Sequence, residues 1–102
     1  MSAGALGLVG SGEYLPSMLE IERSLLEAAV QRGRPRRFVQ LATAAGQESA
    51  DRLRYWRELG QAQADRLQAE AVWVPVFNRH DADQAAWAEL VRDAGLIYLS
   101  GG

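Results

Sequence analysis

Leu96-Ile97-Tyr98-Leu99-Ser100-Gly101-Gly102 is the stretch on which the fold turns. An apolar run closed by a serine and a double glycine reads as a buried strand opening into a loop of bare backbone. Such backbone at a strand's carboxyl end is where open α/β sheets build their sites. The same pattern occurs three more times upstream. Residues 4–9 form a short apolar run that breaks at Gly10-Ser11-Gly12. Phe38 to Ala42 passes into Thr43-Ala44-Ala45-Gly46. Ala71 to Phe77 passes into Asn78-Arg79-His80-Asp81, and Pro75 inside that run argues for a sheet edge or a bulge.

Helical periodicity fills the gaps. Pro16 suits a first helical turn, where its missing N–H is not needed. Leu19, Leu25, Leu26 and Ala29, with Ile21 nearby, mark an apolar stripe, and Glu20, Glu22, Arg23 and Glu27 fall between them. Gly33 and Pro35 end that helix. A longer helix runs from about Glu48 to Ala69, with Leu53, Tyr55, Trp56 and Leu59 inward and Gly60 expected to kink or split it. A third carries Ala86, Trp87, Leu90 and Val91, is capped by Asp81 or Asp83, and ends near Gly95. Trp56, Trp73 and Trp87 are expected in the core. The order βαβαβαβ predicts the α/β class: an open, doubly wound, mainly parallel sheet, apolar on both faces, with right-handed crossovers.

Composition narrows the classes. A length of 102 residues allows one domain at most, and a chain that stops on its own candidate loop is expected to be a partial domain. The net charge of −2 gives no electrostatic case for nucleic acid. All 11 basic residues are arginine, four of them (Arg32, Arg34, Arg36, Arg37) in one turn that reads as a solvated charged loop. Without cysteine there is no disulfide, thiol catalysis or thiolate site, and the single His80 cannot cluster with other histidines around a metal. No metal and no cofactor is expected. The N-terminus lacks a secretion pattern, and no apolar run approaches the ~20 residues that span a bilayer, so a cytoplasmic protein without a membrane partner is expected.

In a parallel sheet the four strand-end loops meet along one edge. That edge would be a cleft for a peptide or another small molecule, lined by Gly10, Ser11, Gly12, Glu13, Thr43, Ala44, Asn78 and Arg79, with the Ser100-Gly101-Gly102 loop beside them. Glu13 there could contact an amine-bearing substrate or face solvent. Gly10-Ser11-Gly12 is not a dinucleotide fingerprint, because position 15 is Leu and no acid ends the second strand. His80 beside Asp81 reads as structural, since neighbouring residues rarely face each other and Asp81 serves better as a cap. Ser100 has no neighbouring base.

Five runs in order now carry a resemblance: Leu-Val-Gly-Ser-Gly-Glu-Tyr (8 to 14), Gln-Leu-Ala-Thr-Ala-Ala (40 to 45), Tyr-Trp-Arg-Glu-Leu-Gly (55 to 60), Asn-Arg-His-Asp-Ala-Asp (78 to 83) and Leu-Ile-Tyr-Leu-Ser-Gly-Gly (96 to 102). The sequence resembles the serine peptidase family of dipeptidase E and cyanophycinase, which has a class I glutamine amidotransferase-like fold. The resemblance covers residues 1–102 and matches only the N-terminal portion of such a domain. It implies a Ser-His-acid hydrolase of peptide bonds, in several members after aspartate, and in others of cyanophycin-like polymers. It also implies that Gly101 and Gly102 match the glycines whose N–H groups help form the oxyanion hole. The family's Gly-x-Ser-Ala-Gly-Ala nucleophile elbow and its histidine and acid are not among these residues, so the chain alone is expected to be inactive. His80 precedes the nucleophile position and does not take the place of that histidine. The alternative reading is a non-catalytic α/β module binding a small ligand or a partner, a second copy included, along the flank of the last strand.

Overall fold

The structure, a computed structural model, describes Gly4, Gly7 and residues 12–100. The strand expected over residues 4–9 therefore lies outside the described residues, apart from those two glycines.

Pro16 opens a short 3₁₀ turn, Pro16–Met18, that leads into α1, Leu19–Gln31. Helix α1 closes as a Schellman motif: Gly33, at φ +87°, donates to Val30 O at 2.9 Å and Arg34 donates to Ala29 O at 3.1 Å. Three strands follow, β1 (Arg37–Leu41), β2 (Glu70–Trp73) and β3 (Leu96–Leu99). They form a parallel sheet in the order β2-β1-β3. The chain leaves β1 toward one side and returns from β2 to the other, so the order reverses between β1 and β3. That gap is a topological switch point, where α/β sheets place ligands.

Alternation along β1 separates two cores. Phe38 and Gln40 face α1 and α2 (Ala50–Arg66), where Leu26, Ala64 and Leu67 are fully buried and Trp56 and Leu59 pack alongside. Val39 and Leu41 face Val74, Ala94 and the Trp87 and Leu90 side chains of α4 (Ala85–Arg92). Each fully buried Leu, Val or Phe contributes about 1.5–3 kcal/mol of transfer free energy. The register puts Ile97 and Leu99 on the α4 side, yet they are 46 % and 74 % exposed. The expectation of two covered faces therefore holds for β1 and not for β3 among the described residues.

Several local expectations are corrected. Helix α2 runs unbroken through Gly60. A Cβ at Gly60 would stand 1.9 Å from Gln40 Oε1, so this glycine makes room for a side chain and bends nothing. Strand β2 stops at Trp73, before Pro75, and stands at the edge of the described sheet, so the expected sheet edge holds while the bulge does not. The last helical region is two pieces, α3 (Arg79–Ala82) and α4. Asn78 caps α3, its Oδ1 accepting from Asp81 N at 2.8 Å, while Asp81 Oδ2 reaches back to Phe77 N at 3.0 Å. Neither Asp81 nor Asp83 is an N-cap: Asn78 holds the last extended position before α3, from which a side-chain oxygen reaches the free N–H three residues on. Trp73 is half-buried against Phe77, with the Arg57 guanidinium 5.8 Å from its ring centroid, rather than in either core.

The arginine turn is also more than a solvated loop. Arg34 Nε donates to Ala94 O at 3.0 Å, just beyond α4, and its second nitrogen to Arg92 O. Arg36 donates to Leu67 O at 2.7 Å and Gln68 O at 3.1 Å, just beyond α2, and pairs with Glu27. Guanidinium groups thus satisfy the last carbonyls of two helices, at the negative ends of their dipoles.

Candidate functional site

The carboxyl edge of the sheet gathers the described strand-end loops. After β1, Thr43–Ala45 forms a 3₁₀ turn whose Thr43 Oγ1 donates to Val76 O at 2.6 Å. Gly46 packs so closely on Phe77 that a Cβ would lie 2.9 Å from the Phe77 Cβ. Those two contacts join the loop after β1 to the loop after β2. Between β1 and β3, Ser100 N donates to Leu41 O at 3.0 Å, which carries the pairing one residue past β3.

Of the predicted cleft residues, Thr43, Ala44, Asn78 and Arg79 are exposed along this edge. Asn78 is committed to its cap and Thr43 to Val76, so neither hydroxyl nor amide oxygen is a spare reactive group. Gly12, at φ +85°, and Glu13 lead into Tyr14, and both are half-buried. His80 is exposed on α3, away from any described carboxylate pair of the base–orienter kind. Gly10, Ser11, Gly101 and Gly102 lie outside the described residues. Among the described residues no three His, Asp or Glu side chains gather in a metal-binding group, and no helix is long and apolar enough to cross a membrane.

The structure adds a buried polar cluster directly beneath the edge. Tyr14 is 3 % exposed and sits at φ +64°, a left-handed backbone that a bulky residue holds only where its surroundings impose it. Its ring stacks on Tyr98, centroids 4.4 Å apart at 18°. Its N–H donates to the Tyr98 hydroxyl at 3.0 Å, and its hydroxyl accepts from Gln40 Nε2 at 2.6 Å. Gln40, 3 % exposed, crosses the Gly60 gap and also donates to Trp56 O at 2.6 Å. Behind Tyr98 lies Glu22, 4 % exposed, whose Oε2 accepts from Gln63 Nε2 and whose Oε1 has no hydrogen-bond partner.

Burial governs the protonation of these groups. It pushes the Glu22 carboxyl above its usual range, against the opposing pull of Gln63 and Tyr98. Burial also pushes the Tyr98 hydroxyl up to about 12, with Glu22 adding to the shift and the Tyr14 backbone opposing it. Tyr14 is driven higher still, again chiefly by burial. Both phenols are therefore neutral donor–acceptors across the physiological range. They hold hydrogen bonds and supply no base.

A small pocket of about 50 Å³ lies between α2 and β2, lined by Gln40, Arg57, Gly60, Gln61 and Trp73 among others. It is about large enough for water and too small for a peptide. The carboxyl edge carries the functional argument.

Sequence reasoning passed over Glu22, Gln40 and Tyr98 as site elements. Each carried a periodicity signal. Leu19, Glu22 and Leu26 share the i, i+3, i+7 face, which puts Glu22 on the buried stripe. Gln40 shares a strand face with Phe38, and Tyr98 shares one with Leu96.

No protein-family model matches this chain, and no curated protein sequence does either. A solved structure does: the chain is similar to the crystal structure of a peptidase from an acI-B1 Actinobacterium, at 54 % identity and a TM-score of 0.94. The match covers 97 % of this chain and 41 % of that one. The chain thus spans less than half the length of that peptidase and has the fold of the matching part.

Proposed function

We propose that this chain forms one wall of a serine-type peptidase cleft of the dipeptidase E and cyanophycinase kind, within a class I glutamine amidotransferase-like domain. The observation that carries the reading is the similarity to a peptidase at 54 % identity over 97 % of this chain. The convergence of the strand-end loops at a switch point supports it, as do the five ordered sequence runs.

In this reading the Gly12–Tyr14 turn and the Thr43-Ala44 loop border the substrate. Asn78 and Arg79 form the far rim, where the Arg79 guanidinium offers a charge for an acidic side chain. Gly101 and Gly102 present backbone N–H groups to the developing oxyanion, a contribution of about 3 kcal/mol to the transition state. The attacking serine, its histidine and its acid come from polypeptide that is not among these 102 residues. Donors without a nucleophile lower a barrier that nothing is crossing.

The test is hydrolysis of Asp-containing dipeptides by the 102-residue chain, alone and joined to a segment that carries a Gly-x-Ser-Ala-Gly elbow with its histidine and acid. The joined chain should hydrolyse them through that serine, and the chain alone should not. Turnover by the chain alone contradicts the division of labour.

Exposed Ile97 and Leu99 favour a second reading, a binding module whose β3 face receives a partner. Light scattering after size-exclusion chromatography separates the two, because a stable monomer that sheds no apolar dye signal counts against partner dependence.

A further inference from the structure

Beyond its local bond from Leu15 N to Gly12 O at 3.3 Å, the turn at Gly12–Tyr14 is held from inside the fold by distant side chains. The Tyr14 amide donates to a side chain 84 residues away, the Tyr98 hydroxyl. A phenol has one proton, and a hydroxyl that accepts from Tyr14 keeps that proton to direct elsewhere. Glu22 lies against Tyr98 with its Oε1 unpartnered, and Gln63 holds the other carboxylate oxygen in place. An Oε1 without a partner is open to accept that proton, and a proton turned that way would leave the phenol oxygen's lone pairs facing Tyr14. Gln40 fixes the opposite end of Tyr14 through its hydroxyl, in a channel open only because residue 60 lacks a Cβ. Tyr98 is two residues before Ser100, on the strand that runs into the Gly101-Gly102 loop.

We propose that the Tyr98 hydroxyl is a positioning group that registers the Gly12–Tyr14 turn to the carboxyl end of β3, with the Glu22 carboxylate setting its direction from behind. The wall that carries Glu13 and the strand that carries the candidate oxyanion loop are thereby locked at one spacing. The inference rests on the peptidase reading for what the two loops do together. The coupling itself is a property of this chain.

Amide hydrogen exchange followed by NMR on the 102-residue chain tests it. Tyr98→Phe keeps the ring stack and removes the acceptor. Exchange at the Tyr14 amide should accelerate about tenfold, the worth of one net hydrogen bond, while the amides of Val39 and Gln40 in β1 keep their rates. Glu22→Gln leaves Tyr98 in place and removes the charge, so it should accelerate Tyr14 selectively and by less. This second variant decides the matter if Tyr98→Phe does not fold. Unchanged exchange at Tyr14, or equal acceleration at Tyr14 and throughout β1, overturns the proposal, since the hydroxyl would then contribute only to general stability. Failure here leaves the peptidase reading standing, and an active 102-residue chain would end that reading without touching the exchange result.

Discussion

The turn at Gly12–Tyr14 and the turn at Asn78–Asp81 are held in different ways. The first has one local bond, from Leu15 N to Gly12 O at 3.3 Å, and is tied beyond it by hydrogen bonds that span 84 and 26 residues, from Tyr98 and Gln40. The second is fixed by bonds that span 3 and 4 residues, between Asn78, Asp81 and Phe77. A locally closed turn forms wherever its few residues are free to form it. A turn tied from a distance is fixed in place only once the sheet and its covering helices have assembled. Tyr14 can therefore hold a strained left-handed backbone at φ +64°, because the assembled core around it outweighs a local cost of about 1–3 kcal/mol.

The comparison is broken most strongly at Gly60. In an open helix, Gly→Ala stabilises by about 1 kcal/mol. Gly60→Ala should instead destabilise by about 2–3 kcal/mol, because the new Cβ would stand 1.9 Å from Gln40 Oε1 and displace the side chain that holds Tyr14. Urea unfolding measures the sign directly, and a gain in stability would show that Gln40 moves aside without consequence.

Glu22 gives the same region a pH signature. Its folded-state carboxyl titrates above the ordinary 4.5, chiefly because it is buried, so the folded chain binds more protons than the unfolded one between 4.5 and the raised value. Stability should therefore be greatest below 4.5 as far as this group is concerned, and fall as pH rises through that window. Glu22→Gln should remove that component of the slope in a series of melts. An unchanged slope would place the charge elsewhere.

At the other turn the effects are smaller and stay local. Asn78→Ala removes the α3 cap and should cost about 1 kcal/mol, with no change in exchange at the Tyr14 amide. His80→Ala should shift the melting free energy by less than about 0.5 kcal/mol, since the side chain is exposed. A large loss at His80 would mean that the second turn, too, is tied into the core.

The same contrast explains what was legible in the sequence. Strand β3 lies where the Leu96-Ile97-Tyr98-Leu99 run predicts it, Pro16 opens the 3₁₀ turn that leads into α1, and Gly33 ends α1, because those signals act on the residues that carry them. The paired position of Ser100 beside Leu41 follows from the parallel sheet. The reason for Gly60 could not be read in the same way. A helix glycine looks like a break until Gln40 is seen to occupy the space above it. Glu22 was hidden by its charge, which marks a surface residue unless its place on the Leu19–Leu26 stripe is given more weight. Asp81 was assigned the cap that Asn78 fills, because spacing alone does not rank two neighbouring Asx side chains. Gly10, Ser11, Gly101 and Gly102 lie outside the described residues, so their part in the cleft stands as proposal.

The central claim is that this chain brings cleft walls and oxyanion donors, while the attacking serine belongs to other polypeptide. Intact-mass spectrometry after treatment with a serine-directed fluorophosphonate addresses it most directly. A chain that joins these residues to a Gly-x-Ser-Ala-Gly elbow should gain one adduct, on that serine, and the 102-residue chain should gain none. A stoichiometric adduct on the 102-residue chain, at Ser100 or any other of its serines, would contradict the account.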